Sequence, residues 1–235
     1  MKKIAACILN YIRENKFILL ALYVPIYLIG FFTIEKIVGD PSICWITDIP
    51  AIDNRIPFLE VFIIPYMLWY PYMFVVGLYL AFVKNGPAFS RFMWGIIITF
   101  TICLAAFLIF PNCQNQRVDL EALGRDNIFI RMVASIYAVD TNTNVLPSGH
   151  VMGSVVAWWG SLEMGIVKRK RWLQWLTHFL MVSISLSTVF VKQHAILDVI
   201  VSTVILIPLY FLLYKGGFRK IGEAIKRAFA KKQEA

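Results

Sequence analysis

The sequence predicts an all-α integral membrane protein: a bundle of six transmembrane helices, with an interfacial helix in the loop between the third and fourth spans. Two observations predict this class. Apolar residues make up 59% of the chain and charged residues only 16%, whereas roughly a quarter of the residues in a soluble domain are charged. The apolar residues also form runs near the ~20 residues that cross a bilayer. We therefore expect residues 1–235 to form a single membrane domain.

Six apolar runs predict the spans, with ends that hydropathy locates only to within a few residues. They are Phe17–Ile34, Phe58–Val83, Phe92–Phe110, Val151–Val167, Trp172–Val191 and Ala195–Tyr214. The first run is too long for the core of a cleaved signal peptide, and Glu35 and Lys36 follow it where small residues would mark a cleavage site. We expect it to remain as the first span.

The net charge of +9 predicts the orientation, because basic residues collect on the cytoplasmic side of a membrane. The clusters are Lys2, Lys3, Arg13 and Lys16, then Lys84 and Arg91, then Lys168–Arg171, then Lys215, Arg219, Lys220, Lys226, Arg227, Lys231 and Lys232. Six spans place all of them on one face. We expect a bacterial-type plasma membrane, with both termini in the cytoplasm and the connections after spans one, three and five outside. Binding of nucleic acid is the weaker reading, because each cluster is short and adjoins a span. The oligomeric state is open.

The two basic ends, residues 1–16 and 215–235, place apolar residues at helical spacing between the cations. This pattern favours amphipathic helices lying on anionic lipid. Solvated ends of the first and last spans fit the same pattern.

The longest outer connection, from Pro111 to Leu146, predicts a helix of its own, because structureless loops of this length are uncommon. Asp126 or Asn127 can cap it. The residues that follow give it an apolar stripe: Ile128, Phe129, Met132, Val133, Ile136 and Tyr137. Such a helix can lie in the interface and shape a lipid entrance, or form a lid that does not contact substrate.

Two of the four cysteines, Cys44 and Cys113, fall outside on this topology, where disulfides form. Their pairing is a hypothesis, because the sequence does not fix the distance between them.

His194 and Asp198 open the last span and are four residues apart, so they share one face of a helix. A carboxylate at Asp198 can accept the Nδ1–H of His194, which leaves Nε2 free and more basic. The pair fits an activated histidine nucleophile. A structural ion pair that tethers the span is the alternative, although unpaired charges within apolar helices are costly and usually functional.

The tetrad Pro147-Ser148-Gly149-His150 stands where the outer loop enters the fourth span. Ser148 can cap this helix, Gly149 lets the backbone approach an anion, and the helix N-terminus presents free N–H groups. His150 can then protonate a leaving oxygen. The alternative is an ordinary capped helix start with an interfacial histidine.

The topology puts His150 and His194 at the same membrane face, although it was derived from lysine and arginine counts alone. Arg117, just after the third span, adds a guanidinium that suits phosphate oxygens or anchors a lipid headgroup. Lys192 can be a second clamp, or an interfacial lysine that reaches toward water. This set of side chains predicts a site for a phosphate ester.

These residues resemble the type 2 phosphatidic acid phosphatase (PAP2, lipid phosphate phosphatase) superfamily. Its signature consists of Lys-x6-Arg-Pro, Pro-Ser-Gly-His and Ser-Arg-x5-His-x3-Asp. The second element is intact at 147–150. In the third, Ser187, His194 and Asp198 match, but Thr188 replaces the arginine. In the first, Arg117 matches, but Phe110 and Val118 replace the lysine and proline.

The resemblance implies a reaction through a phosphohistidine that needs no metal or cofactor. It implies His194 as nucleophile, His150 as general acid and Asp198 as orienting carboxylate. Ser148, Gly149 and Arg117 would bind the phosphate of a lipid, and membrane lipids are the expected surroundings. The missing cations leave two alternatives to hydrolysis: transfer of a headgroup to a lipid alcohol, as in the sphingolipid synthase-like branch, or a non-catalytic lipid-binding protein.

Overall fold

The computed structural model describes residues 10–38, 41–83, 86–217 and 223. Within these ranges the helices are α1 Lys16–Val38, α2 Pro50–Asp53, α3 Glu60–Phe82, α4 Gly86–Ile109, α5 Ile128–Val139, α6 Gly149–Glu163, α7 Gly165–Arg169, α8 Arg171–Phe190 and α9 Ile196–Tyr214. The first turns of α1 and α3 are 3₁₀, and a further 3₁₀ turn covers Pro41–Ile43. The strands are β1 Trp45–Ile46 and β2 Asn112–Cys113. Most of the two predicted amphipathic ends, and Lys84, lie outside the described residues.

Five of the described helices, α1, α3, α4, α8 and α9, are long and apolar enough to cross a bilayer, which indicates a multi-pass membrane protein. The predicted fourth span is not one long helix. It divides at Met164, whose backbone is extended, into α6 and the five-residue α7. Gly165, a poor helix former, follows the break. The 15 residues of α6 rise about 22 Å, less than a hydrocarbon core of about 30 Å.

The short helix α6 is nevertheless the centre of the bundle. Nine of its residues are buried, and it packs against α3, α4, α8 and α9. Gly153 permits the closest approach: a Cβ there would lie 2.6 Å from Met73 Sδ and 2.7 Å from Trp69 Nε1. Small residues at such crossings let helices pack tightly where lipid provides no hydrophobic driving force. In contrast, α1 lies on the outside of the bundle and has no buried residue.

Six helices alternate in direction along the chain: α1, α4 and α8 run one way, and α3, α6 and α9 run the other. The contacts that establish this are Tyr27–Phe100 and Phe31–Phe107 for α1 with α4, Tyr66–His150 and Tyr72–Ser161 for α3 with α6, Arg91–Glu163 and Cys103–Pro147 for α4 with α6, Ser154–Ser185 and Trp158–His178 for α6 with α8, and Ser148–Ser202 and Trp159–Tyr210 for α6 with α9. The starts of α6 and α9 therefore lie at the same end of the bundle as the ends of α1, α4 and α8. We call this the histidine end.

Covalent and backbone links join the loops of the histidine end. Strands β1 and β2 pair in parallel, and Cys44 is bonded to Cys113 with their Cα atoms 5.7 Å apart. The hypothesis of this disulfide is confirmed. Cys113 also forms an antiparallel bridge with Thr143, in the loop that leads to α6.

A helix forms in the long outer loop, as predicted, and its cap is Asn127. The Asn127 side chain accepts from the N–H groups of Phe129 at 2.9 Å and Ile130 at 3.0 Å. Part of the apolar stripe, including Val133, packs on Ile63 and Tyr66 of α3. The position of α5 at the membrane surface stays a prediction.

Candidate active site

His194 is held in position by the carboxylate of Asp198, which lies four residues later in the sequence. Nδ1 of His194 lies 3.1 Å from Oδ2 of Asp198, and the same oxygen accepts the N–H of Ala195 at 3.0 Å. Asp198 is completely buried, while 10% of the His194 side chain is exposed. Because Oδ2 holds Nδ1, Nε2 is the ring nitrogen left for a substrate.

The segment before His194 turns back on the end of α8. The N–H groups of Gln193 and His194 both bond to the carbonyl of Thr188, at 2.9 and 3.0 Å. Lys192 makes this turn possible with a φ of 57°, a left-handed conformation that non-glycine residues rarely adopt. Its Nζ is buried and donates to the carbonyl of Asp53 at 2.9 Å. Burial lowers the pKa of Lys192, and the carboxylates of Asp53 and Asp48 oppose this.

Asp53, which the sequence analysis missed, holds the start of α9 from the outer loop. Its Oδ1 accepts the N–H of Ile196 at 2.8 Å, and its Oδ2 accepts the N–H of Ile49 at 2.7 Å. The residue is only 2% exposed. The sequence offered little signal, because Asp53 is one of three aspartates between the first two predicted spans, with Asp40 and Asp48, and it lies 141 positions before His194.

His150 is held by aromatic rings rather than by hydrogen bonds. Its imidazole stacks on Tyr66, with centroids 4.1 Å apart and an angle of 21°, and packs on Trp69 at 4.4 Å. Tyr70 meets it edge-on at 6.0 Å. The Nε2 atom of His150 is buried and has no hydrogen-bond partner among the described residues. An unpaired polar atom of this kind is costly, and a missing ligand is one of the usual reasons for it.

The backbone of the tetrad is tied to α9. The N–H of Ser148 donates to the hydroxyl of Ser202 at 2.8 Å, and that hydroxyl donates to the carbonyl of Asp198 at 2.6 Å. Ser148 caps α6 by accepting the N–H of Val151 at 3.4 Å. A side chain added at Gly149 would meet no atom within 4 Å, so the space in front of this helix start is open.

These links bring the two histidines together. Their ring centroids lie 6.4 Å apart, although the two residues are 44 positions apart in the chain. This distance of 6.4 Å defines the gap between the two rings. The aromatic cage lies on one side of this gap, and the Asp198 carboxylate lies behind His194 on the other.

Arg117 lies beside the site but bonds to protein oxygens. Its Nε and Nη2 donate to Oε1 of Gln193 at 3.2 and 2.7 Å. Nη1 donates to the carbonyl of Tyr137 at 3.1 Å, and Nη2 donates to those of Asp140 and Thr141, each at 2.7 Å. Burial lowers the pKa of Arg117, and Asp140 opposes this. The guanidinium thus joins the loop after α5 to the residue preceding His194.

Asp140 lies between the two histidines and the arginine. Its Oδ2 accepts from the hydroxyl of Tyr66 at 3.5 Å, which links it to the ring under His150. Burial raises the pKa of Asp140, while His194 and Arg117 pull it down.

Two side chains, the buried Asn112 and the half-buried Glu35, hold the loop that enters the tetrad, and neither was predicted. Oδ1 of Asn112 accepts the N–H groups of Val145 and Leu146 at 2.8 and 2.7 Å. Glu35, at the end of α1, accepts from the amide of Asn144 at 2.5 Å and from the hydroxyl of Thr141. The outermost helix is thereby bonded to the loop of the candidate site.

The positions that depart from the family signature do not supply a cation to the site. Thr188 is completely buried, and its hydroxyl donates to the carbonyl of Ser185 at 2.8 Å. Phe110 is 47% exposed and packs on Trp45. In the described part of the chain, no three or more His, Cys, Asp or Glu side chains are grouped so that they could hold a metal ion.

A family model described as the PAP2 superfamily matches residues 121–221. No curated protein and no solved structure matches the chain. The matched segment contains helices α5 to α9, the tetrad, and the His194–Asp198 pair, while Arg117 lies just before it. The resemblance seen in the motifs is confirmed: residues 121–221 match the PAP2 superfamily.

Proposed function

We propose that this protein is a metal-independent phosphatase that hydrolyses a lipid phosphate monoester or pyrophosphate through a phosphohistidine. The match of residues 121–221 to the PAP2 superfamily indicates phosphatase-type activity. The observation that supports the mechanism best is the pair of imidazoles 6.4 Å apart. One is bonded to a buried carboxylate, and Nε2 of the other has no hydrogen-bond partner among the residues that the structure describes.

In the first step, Nε2 of His194 attacks phosphorus and the bond from phosphorus to the ester oxygen breaks. Asp198 accepts the Nδ1–H of His194 and stabilises the positive charge that develops on the ring. His150 donates its Nε2 proton to the leaving oxygen, so that a neutral alcohol departs.

In the second step, water attacks the phosphohistidine. His150, now neutral, takes a proton from this water, and the bond between phosphorus and Nε2 of His194 breaks to release phosphate. The aromatic cage of Tyr66 and Trp69 keeps bulk water from one face of His150.

The phosphate oxygens need positive charge, and the chain offers less of it than the family signature does. We propose that the open helix start at Gly149, the Ser148 hydroxyl and the charge of Arg117 bind the phosphate. Lys192 would contribute its positive charge from a distance, because its Nζ bonds to the carbonyl of Asp53.

The proposed location is the extracytoplasmic face of a plasma membrane. The support is the charge distribution, since Arg91 and the cluster Lys168–Arg171 lie at the opposite end of the bundle from the histidines. The alternating directions of six helices fit six passes, with α6 and α7 together forming the fourth.

The test is a panel of phosphatidic acid, phosphatidylglycerol phosphate and polyprenyl pyrophosphate in detergent, with release of phosphate as the readout. Wild type is expected to hydrolyse at least one lipid in the presence of EDTA, and His194→Ala is expected to hydrolyse none. His178→Ala is the matched control: His178, on α8, packs on Trp158 of α6, and its replacement is expected to leave turnover intact. Full activity in His194→Ala would contradict the mechanism.

The buried Thr188 and outward Phe110 favour a second candidate, transfer of the phospho-headgroup to a lipid alcohol. A labelled diacylglycerol or ceramide acceptor tests it: labelled phospholipid supports transfer, and free phosphate as the only product excludes it. The third possibility is a non-catalytic lipid-binding protein. Vanadate-sensitive turnover by the purified protein would exclude it.

A further inference from the structure

An apolar groove of about 900 Å³ lies between α1 and α3, with α4 as its floor. We call it the α1–α3 groove. Aliphatic and aromatic side chains form almost all of its walls. The residues that line it include Tyr11, Tyr27, Trp69, Met73, Leu78 and Ala81.

One end of the groove meets the candidate active site. Trp69 and Tyr70 line the groove, and the same two rings contact the imidazole of His150, at 4.4 and 6.0 Å. A molecule lying in the groove therefore has the end nearest Trp69 close to the imidazole of His150, which we assign as the general acid. This continuity distinguishes the groove from an ordinary lipid-facing surface.

The other end lies far down the bundle. Trp69 and Ala81 are twelve residues apart on α3, which corresponds to about 18 Å of helix. Tyr11 closes this end, since its hydroxyl donates to the carbonyl of Ala81 at 2.8 Å and its ring packs near Phe82. One leaflet of hydrocarbon is about 15 Å deep. The groove is thus slightly deeper than a leaflet.

We propose that the α1–α3 groove holds the hydrocarbon tail of the lipid phosphate whose headgroup reaches His150 and His194. This rests on the proposed function and adds where the substrate lies and how it enters. The lipid would move sideways from the bilayer between α1 and α3, since α1 has no buried residue and lies at the edge of the bundle. A tail that extends to the depth of Ala81 fits best, because dispersion contacts then line its whole length.

The first experiment measures occupancy without turnover. His194→Ala protein in lipid nanodiscs is exposed to a lipid phosphate with a photoreactive diazirine at the end of its tail, and the cross-linked residues are identified by mass spectrometry. Cross-links are expected on groove residues near Leu78 and Ala81. Cross-links confined to the exposed faces of α8 and α9, for example at Phe179 and Val204, would overturn the proposal.

The second experiment fills the deep end of the groove. Ala81→Phe is expected to lower kcat/KM for a lipid phosphate with long tails by about tenfold, because overpacking excludes the tail. Turnover of the same headgroup on a tail of about half that length should stay within about twofold of wild type. Val75→Phe is the matched control: it adds the same ring to α3 at a residue that is 54% exposed and outside the groove.

Equal effects of Ala81→Phe and Val75→Phe, or equal losses on short and long tails, would overturn the groove assignment. The outcomes also separate the two proposals. Groove cross-links in a protein that hydrolyses no lipid in the panel would remove the proposed reaction and keep the tail site. Hydrolysis that is indifferent to Ala81→Phe would remove the tail site and keep the reaction.

Discussion

His150 and His194 lie 6.4 Å apart, yet their surroundings hold them by different forces. His194 is fixed by directional hydrogen bonds, from its ring Nδ1–H to Asp198 and from its backbone N–H to the carbonyl of Thr188. His150 is fixed by stacking on Tyr66 and Trp69, and its Nε2 has no hydrogen-bond partner in the described ranges. A hydrogen-bonded ring has one tautomer and one free lone pair, which suits a nucleophile. A stacked ring keeps its orientation while a proton comes and goes, which suits an acid.

The strongest way to break this comparison is to alter the hydrogen-bonded histidine. Asp198→Asn is expected to lower kcat by roughly 10³-fold or more, because an amide favours the wrong tautomer of His194. Phosphate release in detergent measures it. The fold is expected to persist, since Asn keeps the shape of the side chain, and thermal unfolding is the check. Near-normal turnover would mean that the carboxylate only tethers α9.

The stacked histidine is tested by separating the ring of Tyr66 from its hydroxyl. Tyr66→Ala is expected to lose about 3 kcal/mol of unfolding free energy, because the ring is 1% exposed, and roughly 10–100-fold in kcat as His150 loses its support. Tyr66→Phe keeps the stack and is expected to retain most of the activity. The two variants are compared by thermal unfolding and phosphate release. If Phe were as damaging as Ala, the hydroxyl and not the stack would be responsible.

Asp53 tests the same comparison, because its hydrogen bonds support the segment around His194 and not the stacked ring of His150. Asp53→Ala removes the acceptor for the N–H groups of Ile49 and Ile196 and is expected to cost about 2–3 kcal/mol of stability. Activity should fall by several-fold at a temperature where the variant is folded. The exposed Asp126, paired with Arg131 at 2.6 Å, gives a matched control: Asp126→Ala is expected to change stability by less than about 1 kcal/mol.

The smallest effect is expected at Asp140, which lies between the two halves. Its folded pKa is raised by burial, so the folded protein binds its proton more tightly than the unfolded chain does. Wild type therefore loses stability as pH rises from the unfolded pKa through the folded one. Asp140→Asn, which cannot ionise, is expected to be more stable relative to wild type above that window than below it. Unfolding midpoints measured from acid to neutral pH test the sign.

The sequence predicted those parts of the site that follow from local pattern or from topology. The four-residue spacing of His194 and Asp198 puts them on one helical face, and the positions of lysine and arginine place His150 at the same end of the bundle. Asn127 was recognisable as a cap because such caps have a strong residue preference. The disulfide was recognisable only as a pair of cysteines on one side of the membrane.

The parts that could not be predicted depend on contacts between distant segments. Asp53 lies more than a hundred residues from Ile196, whose N–H it accepts, and Glu35 lies as far from the side chains of Thr141 and Asn144. Nothing in the local sequence of either residue indicates these distant partners. Arg117 has the position expected for a phosphate ligand, but the carbonyls around it become visible only in the folded loop. The sequence analysis did not predict the break at Met164, because hydropathy depends on the residues in a segment and not on the backbone conformation that they adopt. The α1–α3 groove was missed for a related reason, since apolar residues that face lipid and those that line a cavity look alike in a sequence.

The bond between Cys44 and Cys113 has a consequence for working with this molecule in cells. Both sulfurs belong to the loops of the histidine end, and thiols pair durably only in an oxidising compartment. Under the proposed orientation, with the histidine end outside the cytoplasm, the oxidation state of these two cysteines reports on sidedness. Chains inserted the other way round, or kept from oxidation, would offer both thiols to maleimide, and labelling at these two positions would separate them from chains with the proposed orientation.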